Sequence, residues 1–402
     1  MERTLFLADR PLFSFSFDAS GKFSVTKIHE EDLSFWPHLL QKDQSPELCK
    51  EWLGNRITPV GRKLLTRIRE ASKVSGVLGY LTLTRGLSLN DAFWIGEDGE
   101  TFRDFNLYEN PLSPEIAQLA FSTDTARAAA FFSRSPEYSS EGAMRKCWVR
   151  RGDNLFLMKA DDWQNSGGYS QVFAEYFASI SAEAFGISHV SYSLELHEKS
   201  DNKGYDQVCL CPLFTSLSTG FVPASVFFRA QGIPERKLLQ FWLENPEEHE
   251  KLMQIFDRKF YEDMLVFDAL IGNEDRHLNN FGYFVDNVTN RFTKPSPLFD
   301  HGLSLLASVI GREHMTPEEC ASISSRGTFL AFDSQIAAFV RPRHRDAIIR
   351  VMNLEFKQHP DFALDDRTIE RINDFKNLRC QIALDIVEKL ACEGKKRLSR
   401  HR

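Results

Sequence analysis

The stretch "IGNEDRHLNNFGYF", residues 271–284, stands between a long apolar-striped segment and an aromatic one. It crowds carboxylates, an arginine, a histidine and asparagines into a place where a surface loop would not need them. Working outward, Asp275 falls at the end of a helical pattern, Asn280 follows five residues later, and Phe281 to Val285 leave as a strand. "DNVTNR" (286–291) reads as a turn and Phe292 opens a return strand. The chain then passes Pro295 and Pro297 into "LFDHG" (298–302), which sets Asp300 just after an apolar pair.

An Asp, an Asn a short loop away and a second Asp beyond a hairpin are what phosphoryl transfer from a nucleotide needs. One carboxylate orients or deprotonates the acceptor hydroxyl, while an amide oxygen and another carboxylate hold the magnesium that neutralises the phosphates. The hairpin lets Asp300 fold back toward Asp275. Upstream, Lys159 ends the apolar strand "LFLMK" (155–159), where an ammonium can reach phosphates, and Glu175 on the next helix is its expected ion-pair partner. A strand lysine alone is usually a solvated edge residue and a helix glutamate a surface carboxylate; their order before the Asp/Asn/Asp set gives them weight. "SSEGAMRK" (139–146) offers Gly142 for close backbone approach to phosphate oxygens and Lys146 for charge. It has one glycine and matches neither GxGxxG nor the Walker A pattern, so by itself it is a turn.

Composition bounds the rest. The 402 residues are long enough for two or three domains, and 42% hydrophobic with 26% charged is ordinary for a folded protein. A net charge of -7 argues against binding of nucleic-acid phosphates as the main business, so no direct nucleic-acid partner is expected. Seven scattered cysteines lack paired metal-ligand spacing apart from the short Cys209/Cys211 pair, which fits reduced thiols in a cytoplasmic protein. No apolar run has the length of a membrane span, and "MERTLFLADRPLF" carries charges where a signal peptide would be apolar. A cytoplasmic location is the expectation, with export as an effector through an unconventional signal left open.

The order of elements suggests an α+β, two-lobed architecture. Residues 1–120 alternate strand and helix patterns, with a turn at Asp18 to Gly21 and a helix start at Ser113 and Pro114. They form an N-terminal accessory α+β domain with no chemistry of its own. "CWVRRGDNLFLMKA" (147–160) is a hairpin turning at Arg151 to Asn154, "SQVFAEYFASISAEAFGI" (170–187) a helix stopped by Gly186, and "YDQVCLCPLF" (205–214) a strand. Residues 121–215 thus read as a β-rich nucleotide lobe and 216–392 as a helical lobe, with a ligand cleft expected between them. The basic tail 393–402 reads as a solvated, frayed end.

Taken together, Ser139-x-x-Gly142-Ala143-x-x-Lys146, then Lys159, then "NEDRHLNN" in an N-x-D-x-H-x-x-N pattern, then Phe299-Asp300, resemble the HipA-like serine/threonine kinases, including the bacterial persistence toxins. The similarity runs from about Ser133 to Leu306 and loosely through the C-terminal helices; residues 1–120 do not show that family's usual N-terminal domain. The resemblance implies a protein-kinase-like fold, ATP and Mg2+ as cofactors, Asp275 as catalytic aspartate, Asn280 and Asp300 as magnesium ligands, and Lys159 as the phosphate-binding lysine. It implies a phosphate loop of Glu141, Gly142, Ala143, Met144, Arg145 and Lys146, and a hinge that holds adenine at Pro212, Leu213 and Phe214. It implies that Ser139 or Ser140 can be autophosphorylated, silencing the enzyme by placing charge beside the ATP phosphates. His277 would brace the catalytic loop, as would Arg276 and Asn279. The partners implied are a protein with a Ser or Thr acceptor and an antitoxin or regulatory protein.

Other readings share these residues. Arg276 and Asp300-His301-Gly302 are also similar to phosphoinositide kinases, whose catalytic loop reads D-R-H-x-x-N, so a lipid or small-molecule acceptor is one alternative. A catalytically silent binding module is another, although all four of Lys159, Asp275, Asn280 and Asp300 are present. A zinc site at His277 and His301 lacks the helical H-x-x-x-H spacing, and "DRHLNNFGYFVD" (275–286) lacks the glycine and glutamate of an EF-hand loop.

Overall fold

The computed structural model describes residues 2–18, 21–56, 81, 84–111, 145–160, 169–198, 204–239, 243–308, 316–362 and 364–400. The chain divides into two compact units that interleave along the sequence. The first comprises Met1–Ala160, Glu195–Ala230 and Gly282–Lys294; the second comprises Asp161–Leu194, Gln231–Phe281 and Pro295–Arg402.

The first unit holds three sheets. Strands β1 (Glu2–Leu7), β2 (Arg10–Phe17), β3 (Phe23–Ile28) and β4 (Phe93–Gly96) form a sheet in the order β3-β2-β1-β4. The Phe/Ser alternation of "LFSFSF" sends Phe13 and Phe15 to an aromatic core where Phe13 stacks on Trp36 at 4.7 Å and Phe6 on Trp94 at 5.1 Å. On the other face Thr4 and Ser14 hydroxyls bond each other at 2.8 Å. The expected turn is present, with the Lys22 and Gly21 amides donating to Asp18. Helix α1 (Pro46–Asn55) follows Ser45 with proline at its start.

The hairpin read at 147–160 is β5 (Arg145–Arg151) and β6 (Asn154–Ala160), turning through Gly152 at φ 58°. It joins β7 (Ser193–Glu198) and β8 (Tyr205–Pro212) in the order β5-β6-β8-β7. A third sheet, in the order β11-β10-β9, is formed by β9 (Thr219–Pro223), β10 (Gly282–Asp286) and β11 (Arg291–Pro295). The segments on either side of β4 are fastened to the other two sheets. Arg150 donates to the carbonyls of Leu107, Tyr108 and Asn110, Thr215 and Tyr108 donate to that of Leu89, and the Phe221 amide donates to that of Asn90.

The second unit is helical. Helix α2 (Gln171–Phe185) ends as its sequence requires, with Gly186 left-handed at φ 86° and its N–H returned to Ala182 and Glu183. After α3 (Ala224–Ala230), which belongs to the first unit, come α4 (Pro246–Leu252) and α5 (Arg258–Ile271), separate helices where the pattern ran on. They are followed by α6 (Pro317–Ile323), α7 (Phe332–Phe339), α8 (Arg345–Asn353) and α9 (Asp366–Arg400). Asp257 caps α5 by accepting the Phe260 amide at 2.8 Å, and the helix is buried from Tyr261 to Ile271 by packing on α7 and α9. Helix α9 also packs on α6 and α8, and it continues to Arg400 through the tail that the sequence suggested would fray. The α+β class read from the sequence is the one observed. The helix start at Ser113, Ser139, Ser140 and Glu141 to Met144 lie outside the described residues.

Candidate functional site

Helix α5 ends where Gly272 turns left-handed at φ 62°, and a Cβ there would lie 2.7 Å from the Phe375 ring, so both backbone and packing require glycine. Released by that cap, the chain runs through a tight loop to β10. Asp275 sits half-buried in it, four residues past the helix end, its amide donating to Asn273 Oδ1 at 3.2 Å. Asn280 is buried and its Nδ2 donates to the Asp275 carbonyl at 3.0 Å. That bond fixes the amide so that its oxygen lies on the other edge. His277 braces the same loop, its Nδ1 accepting the Asn279 amide at 3.2 Å.

The segment bearing Asp300 is stitched to this loop. The Glu274 amide donates to Leu303 O and the Leu305 amide to Ile271 O, each at 2.8 Å. Arg276 Nη1 donates to both Asn280 O at 2.7 Å and Phe299 O at 2.8 Å. Asp300 itself is held at φ 61°, a left-handed conformation that costs a non-glycine residue about 1 kcal/mol, and its N–H donates to the Tyr192 hydroxyl oxygen at 3.2 Å. Leu305 and Leu306 are left-handed as well, so the strain is concentrated in this segment. Next to Asp300, the His301 amide donates to Glu175 Oε2 at 2.7 Å. Glu175, fully buried on α2, thus orients the Asp300 segment.

Three expected residues, Asp275, Asn280 and Asp300, therefore share one part of the second unit. Burial pushes the Asp275 carboxyl above its ordinary value; His277 and Arg276 pull it back, and the neighbouring Asp300 carboxylate pushes it further up. Two carboxylates near enough to disturb each other, beside an amide oxygen of fixed orientation, suit a hard divalent cation that takes one or two protein carboxylates and leaves its other positions to phosphates and water. Among the described residues there is no group of three or more His, Cys, Asp or Glu that could hold a metal ion, so the zinc reading of His277 and His301 gains no ligand set.

The other expected residues lie in the first unit. Lys159 on β6 and Lys146 on β5 are directly paired across the strands, so both side chains share one sheet face, and they are only 3% and 8% exposed. Cys209 on β8 is Lys159's partner on the other side. Arg145 opens β5. Pro212 ends β8, the Leu213 amide is committed to Leu155 O at 2.8 Å, and Phe214 packs edge-on against Phe221 and Phe284. Since proline has no N–H, neither Pro212 nor Leu213 has a backbone donor left for a base.

Sequence reasoning did not find Asp268. It is 1% exposed on α5 and accepts Arg276 Nε at 2.9 Å, Arg276 Nη2 at 3.1 Å and Asn273 Nδ2 at 2.9 Å. Its only signal was a single carboxylate inside the apolar run "MLVFDALI" (264–271).

Among solved structures, the chain is similar to HipA in the Shewanella oneidensis MR-1 toxin–antitoxin complex of HipA, HipB and its operator DNA. The TM-score is 0.53 at 15% identity, over 96% of this chain and 98% of that one. The chain has a HipA-like fold. It is also similar to the Helicobacter pylori proinflammatory kinase CtkA, with a TM-score of 0.40 and 15% identity over 61% of this chain and 95% of that one. No protein-family model matches the chain, and no curated protein matches it in sequence. The HipA-like fold reaches further than the motifs did. A match over 96% of the chain takes in most of residues 1–120, which the motif reading had set outside the resemblance. The described part of those residues is built around an aromatic sheet and carries none of the motifs. Among the described residues, no helix is long and apolar enough to cross a membrane.

Proposed function

We propose that the chain is an ATP- and magnesium-dependent serine/threonine protein kinase. The observation that carries this reading is the joining of Asp275, Asn280 and Asp300 by bonds from Arg276, Asn280 and the loop backbone, which makes one chemical unit of residues up to 25 positions apart. In this reading Asn280 Oδ1 and the Asp300 carboxylate hold the metal. Magnesium there would supply charge to offset that developing on the transferred phosphoryl group. Asp275 orients the acceptor hydroxyl and takes its proton as the hydroxyl oxygen bonds the γ-phosphorus and the bond to the β–γ bridging oxygen breaks. The raised affinity of Asp275 for protons fits that task. Glu175 keeps the Asp300 segment in place through the His301 amide.

Lys159 and Lys146 supply the cationic face for phosphates, with Glu141 to Lys146 as the phosphate loop and the carbonyls near Pro212 to Phe214 facing the base. Support for that part comes from the cross-strand pairing of the two buried lysines, which sets two cationic side chains on one face of the sheet. Ser139 or Ser140 is proposed as an autophosphorylation site, an antitoxin or regulatory protein as partner, and the cytoplasm as location. The division into residues 1–120, 121–215, 216–392 and 393–402 stands as the proposed functional layout.

The test is incubation of the full chain with Mg2+ and γ-labelled ATP, with mapping of labelled residues. Label on Ser or Thr in protein, lost in Asp275→Asn, is the expected result. Transfer only to inositol lipid or a small molecule would replace the protein acceptor, and nucleotide binding without transfer would leave a binding module.

A further inference from the structure

We infer that Arg276 is a positioning residue that sets the relative placement of the two cation-ligand residues, Asn280 and Asp300; this rests on the kinase reading above. A buried arginine whose only task was to neutralise Asp268 would be satisfied by the bonds from Nε and Nη2 to that carboxylate. The remaining nitrogen, Nη1, instead bridges two separate backbone segments. It reaches the carbonyl of Asn280 itself and that of Phe299, the residue before Asp300. One planar guanidinium, 2% exposed, therefore spans both ligand-bearing segments while α5 holds it from behind through Asp268.

The chemistry explains why arginine stands here. Its fork offers donors in fixed directions, so gripping the Asp268 carboxylate on one side fixes where Nη1 points on the other. A lysine would keep the charge and lose the second direction. Asn273, which also donates to Asp268 and accepts the Asp275 amide, extends the same anchor to the proposed catalytic aspartate. The charge of Arg276 is balanced by Asp268, so the clamp can lie near a cation site without adding net positive charge to it. Asp300, held in a left-handed conformation, is a residue whose placement needs such an external hold.

The experiment uses full-length wild type, Arg276→Lys and Asp268→Asn. For each, Mn2+ binding is measured by electron paramagnetic resonance with a non-hydrolysable ATP analogue, and binding of that analogue without metal by calorimetry. Partners that orient metal ligands from behind are worth about 10–100-fold in metal affinity. Arg276→Lys is expected to weaken Mn2+ binding by about tenfold or more, with metal-free nucleotide affinity unchanged. Asp268→Asn, which keeps the shape of the anchor and loses its charge, is expected to shift Mn2+ binding the same way by less. Equal losses of metal and metal-free nucleotide binding in the two variants, or unfolding of both, would reduce Arg276 to a structural ion pair and overturn the inference. Unchanged Mn2+ binding in folded Arg276→Lys would overturn it too, with the kinase reading intact. Failure of the wild type to bind Mn2+ with nucleotide would remove the kinase reading, and this inference with it.

Discussion

The N-terminal sheet and the segment from Asp268 to Leu305 are held by opposite means. In the first, Phe13 lies on Trp36, Phe6 lies on Trp94 and Phe15 packs beside Phe23, so cohesion comes from apolar surface removed from water. In the second, a buried Asp268–Arg276 pair shares its donors and acceptors with Asn273, Asn280 and Phe299. Apolar packing is forgiving of a change in ring shape as long as volume is kept. A buried charge network is unforgiving, since each member removed strands another in a medium where an unpaired charge is costly. The molecule keeps its tolerant packing where it needs a scaffold and its exacting network where atoms must be placed.

The largest effect should come from breaking the network. Asp268→Ala leaves Arg276 buried without its carboxylate, and a loss of about 3–5 kcal/mol is expected in urea unfolding. Hydrogen exchange should then locate the opening in residues 268–305, with the amides of the N-terminal sheet still protected. Acid should weaken both units by a similar mechanism. Burial lowers the pKa of His38, whose Nε2 bonds Asn290 O in the first unit, and of His249, whose ring bonds Tyr261 and Leu243 in the second, each from 6.5 to about 4. Between those values the unfolded chain takes up protons that the folded one refuses. Stability from these groups is therefore complete above 6.5 and lost as pH falls toward 4, by about 3 kcal/mol for each histidine. A pH series of urea midpoints checks it, and replacing either histidine with glutamine should flatten the slope. The smallest effect is expected in the aromatic sheet. Phe13→Leu keeps most of the volume and should cost less than about 1.5 kcal/mol in the same unfolding measurement.

How much could be read beforehand follows the same division. Local signals were enough for the loop from Gly272 to β10, because a helix stop, a polar loop and an aromatic strand are written in adjacent residues. The hairpin at Gly152 and the stop at Gly186 were legible for the same reason. Asp268 was not. Its partner Arg276 lies eight positions away with the Gly272 cap between them, and within an apolar helix one carboxylate reads as a flaw in the stripe. The bond from Glu175 to the His301 amide was hidden too, since sequence can propose a cation for a glutamate more readily than a backbone N–H 126 residues away. The left-handed turn at Asp300 has no glycine to announce it. The N-terminal strands were visible from their alternation, yet alternation alone does not identify a fold, and their place in the HipA-like fold emerged only from the three-dimensional match.

The most direct test of the Asp275, Asn280 and Asp300 centre is calorimetric titration of ATP with and without Mg2+ into the wild type and Asp300→Asn. The expected result is ATP affinity that rises with Mg2+ in the wild type and a metal dependence that is lost or strongly reduced in the variant, while thermal unfolding shows both to be folded. ATP affinity indifferent to Mg2+, or a metal dependence unchanged in Asp300→Asn, would contradict the assignment.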